Sequence, residues 1–327
     1  STPAAGAAAT AKPETAYVDV SVATLWTSPD RARPVDTPSI TNPVHIRRWL
    51  AGMSLSDKLW LVGELQTQTL YGHEVYVLEH RGSWVKVAVP GQPTPKNALG
   101  YPGWMPAAQL AHSAKYAQRY ARYQDRPFAL VDGAPTAWLY RNAHLSKKFM
   151  EVSYNTRLPV IARTPHAIRV ATPTDGKKWL SADDATVYRS TDAIPKPSGD
   201  DLVRTAKMFE GLPYLWAGRS GFGFDCSGFT STVYQGNGIV IPRDASDQAL
   251  RGGATPVDLD HLRKGDLLFY AHDGGEGYIH HVGMYIGDGK EIDAPINSAT
   301  EPSPLEIVKV AEHRYVDEYW GAVRYLR

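Results

Sequence analysis

The 327 residues carry 35 Lys and Arg against 34 Asp and Glu, a formal charge of +1 at pH 7, with 43% apolar and 21% charged residues. That balance suits two or three globular domains, excludes wholesale disorder and, without a basic tract, points to neither nucleic acid nor an anionic membrane surface. No apolar run approaches the roughly 20 residues of a membrane span, and one cysteine, Cys226, cannot report the redox compartment.

Residues 1–15, mostly Ala, Thr, Pro and Gly, are expected to form a disordered leader. Such a stretch often follows a removed export signal, so the periplasm or cell wall is the expected location, with the cytoplasm the alternative. From 16 to 115 the pattern is short, aromatic-rich strands: Tyr17 to Val22, Val75 to Leu78 and Trp84 to Val89 all alternate. Between them, Ile46, Trp49 and Leu50 share a helical face, and Asn42 with Pro43 predicts a helix over 42–52. A second strand-rich block covers 125–192, with strands expected over 152–160 and 166–171. Trp104 and Trp179, each followed three residues later by Ala, echo one another and predict two related barrels. Both blocks resemble bacterial SH3-like domains, which commonly accompany cell-wall enzymes.

Residues 194–199 hold two prolines and a glycine and read as a linker before a third unit, 200–327. Leu202, Ala206 and Phe209 then mark a helix stopped by Gly211. Next comes Phe224-Asp225-Cys226-Ser227-Gly228-Phe229, which places the thiol in the first turn of a buried helix ending near Gly236. A lone cysteine is a buried hydrophobe, a metal ligand or a nucleophile. At a helix start, unpaired N–H groups and the helix dipole are expected to lower a thiol pKa and to receive an oxyanion.

Tyr278 to Gly287 carries His280 and His281 into an apolar strand, and a turn at Asp288-Gly289 leads to a second strand bearing Asp293. His281 as base and Asp293 as its orienting group would complete a Cys-His-Asp arrangement. Register constrains this: pairing 287 with 290 throughout turns Asp293 away from His281, whereas a bulge or a three-residue loop puts it opposite Gly283, on the His281 side. Zinc held by Cys226, His280 and His281 is disfavoured, because one thiol is too few and adjacent strand histidines face opposite ways. Neither a metal nor a cofactor is expected.

The ordered segments Tyr214 to Gly218, Phe224 to Phe229, Pro242-Arg243-Asp244, Lys264 to Phe269 and His281 to Gly287 resemble the NlpC-type cysteine peptidases. The resemblance implies an α+β fold, two small SH3-like barrels followed by a papain-like peptidase domain. It also implies Cys226 as nucleophile, His281 as base and Asp293 as third residue, where many members carry His. The three-domain layout is similar to γ-D-glutamyl-L-diamino acid endopeptidases, which cleave peptidoglycan stem peptides or murein-derived tripeptides and tetrapeptides. From that likeness Asp244 would meet a free amino terminus, Tyr214, Asp225 and Ser227 would line the cleft, and Tyr101 would contribute from a lid formed by the first domain. Asp244 also reads as a helix cap. The diamino acid, L-Lys or meso-diaminopimelate, stays open; a monomer is expected. The reading from another class is an inactive wall-binding module acting through its SH3-like domains.

Overall fold

The computed structural model describes residues 13–121, 126–295 and 304–327. The leader over residues 1–12 lies outside them, but its end does not: β1 begins at Glu14. The first sheet contains β1 (Glu14–Val18), β2 (Val22–Trp26), β3 (Leu65–Leu70), β4 (Glu74–Arg81), β5 (Trp84–Val89), β6 (Tyr101–Pro106) and β7 (Leu110–Ala111). The second contains β8 (Phe128–Val131), β9 (Thr136–Tyr140), β10 (Lys148–Ser153), β11 (Arg157–Arg163), β12 (Ala167–Ala171), β13 (Lys177–Ser181) and β14 (Ala185–Tyr188). Their strand orders are β3-β2-β6-β5-β4-β1-β7 and β10-β9-β13-β12-β11-β8-β14, the same order with each strand number raised by seven. The Trp104 and Trp179 echo therefore marks a duplication, since the two residues occupy the equivalent strands β6 and β13.

Three local expectations change. The run Tyr17 to Val22 is split between β1 and β2, because Asp19 N–H bonds Gln109 across the turn. Val18, Val20 and Val22 are nonetheless all buried, as the alternation predicts. The helix starts at Ile46 and not at Asn42, whose side chain instead donates to Ala108 O (2.9 Å) and Asp19 (3.2 Å). The expected strand over 152–160 is interrupted by Asn155 at φ 75°, a conformation Asn tolerates better than most residues.

In the third unit the linker ends earlier than expected, since Gly199 is already helical (Gly199–Met208) behind Ser198, which exchanges capping bonds with Asp201. A short pair, β15 (Arg219–Ser220) and β16 (Gly223–Phe224), leads into the helix Cys226–Gly236. The remaining sheet has β17 (Thr255–Val257), β18 (Leu267–Ala271), β19 (Ile279–Gly287), β20 (Lys290–Asp293), β21 (Glu306–Lys309) and β22 (Tyr319–Arg324), ordered β17-β22-β18-β19-β20-β21. Phe229 and Val233 of the cysteine helix pack with Phe269, Val282, Met284 and Ile292 of that sheet. Burying each such side chain contributes about 1.5–3 kcal/mol. Phe224 and Phe209 close the cluster edge to face, with ring centroids 5.0 Å apart.

The units are tied by side chains. Thr67 of β3 accepts from Arg243 Nε (2.8 Å), Ser153 accepts from Gly221 N–H (2.9 Å), and Arg47 pairs with Glu151 (2.7 Å). No helix among the described residues is long and apolar enough to cross a membrane.

Candidate active site

Cys226 is the first residue of its helix, and the Asp225 side chain caps the turn by accepting from Gly228 N–H at 2.6 Å. The helix packs on β19, which places the thiol in one cluster with Val282, the residue that follows His281. Burial, then the Asp225 charge, pushes the thiol up to about 12 against the pull of Val282 N–H and Arg243. That corrects the expected lowering: the first turn is there, but it is sealed from water, which favours the neutral thiol.

The hairpin resolves the register question. Gly287 pairs with Lys290, as a two-residue turn requires, and a bulge then shifts the ladder so that Tyr285 faces Glu291 and Met284 faces Ile292. The shifted register puts Asp293 opposite Gly283, on the His281 side. A side chain at 283 would collide there, since a Cβ would lie 2.6 Å from Glu291 Oε1 and 3.2 Å from Asp293 Cβ.

His281 Nε2–H donates to Asp293 Oδ2 at 2.7 Å, and both residues are buried. This bond fixes the tautomer that leaves Nδ1 unprotonated. Despite burial, the two imidazoles around it hold Asp293 well below the usual carboxylate range. The second imidazole belongs to His313, a residue the sequence reading does not reach. Its Nε2–H donates to the same oxygen at 2.6 Å, and its Nδ1 accepts from Tyr315 N–H at 3.0 Å, so it is a satisfied neutral ring. Tyr270 stacks on His313 at 4.2 Å and donates to Glu291 Oε2 at 2.6 Å. Burial and then the Asp293 charge raise the Glu291 carboxyl well above its ordinary value. His313 stands 20 positions from Asp293 in no motif, and only the fold reveals the pairing.

Arg243, 1% exposed, forms the other wall. It pairs with both oxygens of Asp225 (3.1 and 3.0 Å) and donates to Ser227 Oγ (2.9 Å). Asp225 and Ser227, expected to line the cleft, are thus engaged within the protein, Asp225 as cap and ion-pair partner. Tyr214 is buried close enough to Asp225 and Cys226 that, after burial itself, their charges raise its phenol well above the ordinary value. Asp244 occupies the cap position of the helix Ala245–Leu250, yet its side chain makes no capping bond. Instead it accepts from Tyr101 Oη of β6 at 2.8 Å, and Tyr101 Oη in turn accepts from Lys96 Nζ at 2.8 Å. The structure therefore joins the first sheet to the third unit through Tyr101 and Asp244.

Among the described residues, two groups bring three possible metal-binding atoms within 4.8 Å of one another. In one, His281 and His313 both aim Nε2 at a single Asp293 oxygen, which is a hydrogen-bond arrangement. In the other, His272 and His280 stack 4.3 Å apart at 20°, with Glu318 beside them, and one cation cannot lie in the planes of two stacked rings. His280 and His281 do face opposite sides of β19, toward Glu318 and Asp293 respectively.

Residues 211–324 match the model of the NlpC/P60 family, and residues 133–188 match that of the YkfC SH3b2 domain. A Bacillus cereus protein named gamma-D-glutamyl-L-lysine dipeptidyl-peptidase is 53% identical over 96% of this chain and 92% of its own length. This chain belongs to the NlpC/P60 family. A second relative of the same name, from Bacillus subtilis, is 39% identical over 91% of this chain and 94% of its own length. The crystal structure of an NlpC/P60 family protein from Bacillus cereus superposes with a TM-score of 0.89 at 51% identity, covering 96% of this chain and all of that one. The chain is accordingly an NlpC/P60 peptidase of mixed α and β structure with SH3b-like domains, and its relatives point to peptidoglycan-related substrates.

Proposed function

We propose that this NlpC/P60 peptidase hydrolyses the bond between γ-D-Glu and the following diamino acid of stem peptides, releasing an amino-terminal L-Ala-γ-D-Glu. The observation that carries the reading is the pairing of His281 with Asp293 on two strands of one hairpin, beside a thiol packed in one cluster with Val282. Cys226 passes its proton to His281 Nδ1 as the sulfur attacks the γ-carbonyl carbon. First-turn N–H groups and the Tyr214 hydroxyl stabilise the oxyanion. His281 then protonates the departing amine, and a water deprotonated by His281 attacks the thioester to release the acid. Asp293 keeps Nε2 protonated and supports the imidazolium throughout.

Asp244, held by Tyr101 and not used as a cap, receives the free ammonium of L-Ala, because a buried cation without a carboxylate partner is costly. The names of the two Bacillus relatives support L-Lys as the diamino acid. The two sheets of matching strand order are read as SH3-like barrels over 16–115 and 125–192, and 200–327 as a papain-like peptidase domain. Comparing kcat/KM for L-Ala-γ-D-Glu-L-Lys, its meso-diaminopimelate counterpart and the N-acetylated peptide tests the reading. The free L-Lys peptide should be the best substrate; equal rates with the acetylated one would remove Asp244 from recognition.

A further inference from the structure

Glu291 is a buried acid that the hydrolysis as written does not use. It stands two residues before Asp293 on β20, so both side chains leave the same face of the strand, toward Gly283. Both residues are 0% exposed. One nitrogen brings them to a single spot: His313 Nε2 lies 2.6 Å from Asp293 Oδ2 and 3.2 Å from Glu291 Oε1. Glycine at 283 permits the crowding, since a Cβ there would meet that same Glu291 oxygen at 2.6 Å and Asp293 Cβ at 3.2 Å.

Two carboxylates packed this closely, away from water, cannot both carry charge without a cation. The titratable groups facing the two acids are Tyr270 of β18, His281 of β19, His313 and Tyr315 from the chain after β21, Tyr319 of β22 and the Cys226 thiol. No lysine or arginine is among them, and the ion pairs of both acids among the described residues are with imidazoles alone. His313 does not supply a full charge, because its Nδ1 accepts from Tyr315 N–H and its one proton sits on Nε2. His281 has to keep Nδ1 unprotonated to take the thiol proton. A proton on Glu291 resolves the conflict.

The unpartnered atoms indicate where that proton points. Glu291 Oε2 accepts from Tyr270 Oη at 2.6 Å, and Asp293 Oδ2 accepts from two imidazoles. The other oxygen of each acid, Glu291 Oε1 and Asp293 Oδ1, is buried without a hydrogen-bond partner among the described residues. Two bare carboxylate oxygens repel, whereas a carboxyl and a carboxylate form a charge-assisted bond. Burial and then the Asp293 charge raise the Glu291 carboxyl, the direction such a bond requires.

We propose that Glu291 is a positioning residue, held neutral so that its Oε1–H donates to Asp293 Oδ1 while its Oε2 accepts from Tyr270. This rests on the reading of His281 as base and Asp293 as its orienting group. The bond gives Asp293 a third donor and fixes the carboxylate plane that aims His281. It also keeps the two acids at a single negative charge, so His281 is not drawn into the imidazolium form before the thiol attacks.

Infrared difference spectra of the full chain, wild type minus Glu291→Gln at neutral pH, test the protonation independently of turnover. A protonated-carboxyl C=O stretch that shifts in D2O is expected in wild type; carboxylate bands in its place overturn the proposal, whichever peptide the enzyme cleaves. Failure of wild type to cleave the tripeptide would instead strike the proposed function and leave this readout standing. Kinetics on L-Ala-γ-D-Glu-L-Lys test the role. Gln offers one donor and one acceptor, as a neutral Glu does, so Glu291→Gln should keep kcat within about threefold. Glu291→Leu, of similar size without a donor, should lower kcat at least about tenfold with KM unchanged. A folded Glu291→Gln that loses as much kcat as that, or a Glu291→Leu effect confined to KM, overturns the proposal.

Discussion

Replacing Asp293 by Asn isolates the charge that organises the histidine pocket. Oδ2 accepts from both His281 Nε2–H (2.7 Å) and His313 Nε2–H (2.6 Å), and the site is closed to water. An amide has one accepting oxygen and one donating nitrogen, and it lacks the charge that strengthens both bonds. Each charge-assisted bond contributes about 1.5–3 kcal/mol, so weakening or losing the pair raises the barrier by about 3–6 kcal/mol, or about 10² to 10⁴-fold in kcat/KM. The larger end applies if His281 also leaves its productive tautomer. The assay is hydrolysis of L-Ala-γ-D-Glu-L-Lys by separated products, with circular dichroism to establish that Asp293→Asn is folded. A folded variant within tenfold of wild type would refute the orienting role of Asp293.

His313→Asn, which removes the second donor, should lower kcat about 10- to 100-fold with little change in KM; an equal loss in KM would place His313 in substrate binding instead. Asp244→Asn should reduce the preference for free over N-acetylated tripeptide at least tenfold, read as the ratio of kcat/KM values. The thiol is pushed up to about 12, so alkylation of Cys226 by iodoacetamide should rise about tenfold per pH unit from 6 to 9. A rate already level at pH 6 would reveal a standing thiolate. Because the thiol is raised in the folded state, its contribution to stability is present below about pH 8.5 and is lost as pH climbs toward 12. Asp293 acts at the other end: its carboxyl is lowered on folding, so the stability it contributes is present above about pH 4 and is lost under acid.

Local signals were the legible ones. The helix that opens at Cys226 follows from an apolar pattern that stops at Gly236, and the hairpin follows from Asp288-Gly289 between apolar runs. Even the bulge was foreseeable as a condition, because a period-2 ladder admits only one parity for Asp293 to face His281. What could not be read were partnerships between segments distant in sequence with no motif to link them. His313 and Tyr270 reach Asp293 and Glu291 only after β18, β20 and the chain beyond β21 are assembled. The Cys226 environment was misjudged for a related reason, since a buried helix is visible in sequence but the sealing of its first turn, thiol included, is not. Strand ends were misplaced at Asp19 and Asn155, where a single backbone bond or one positive φ divides a continuous apolar pattern.

The most direct test of the central claim is mass spectrometry of L-Ala-γ-D-Glu-L-Lys after incubation with wild-type protein and with Cys226→Ala. Wild type should yield L-Ala-γ-D-Glu and L-Lys while the variant leaves the tripeptide whole. An intact tripeptide with wild type, or the same products from Cys226→Ala, would contradict it.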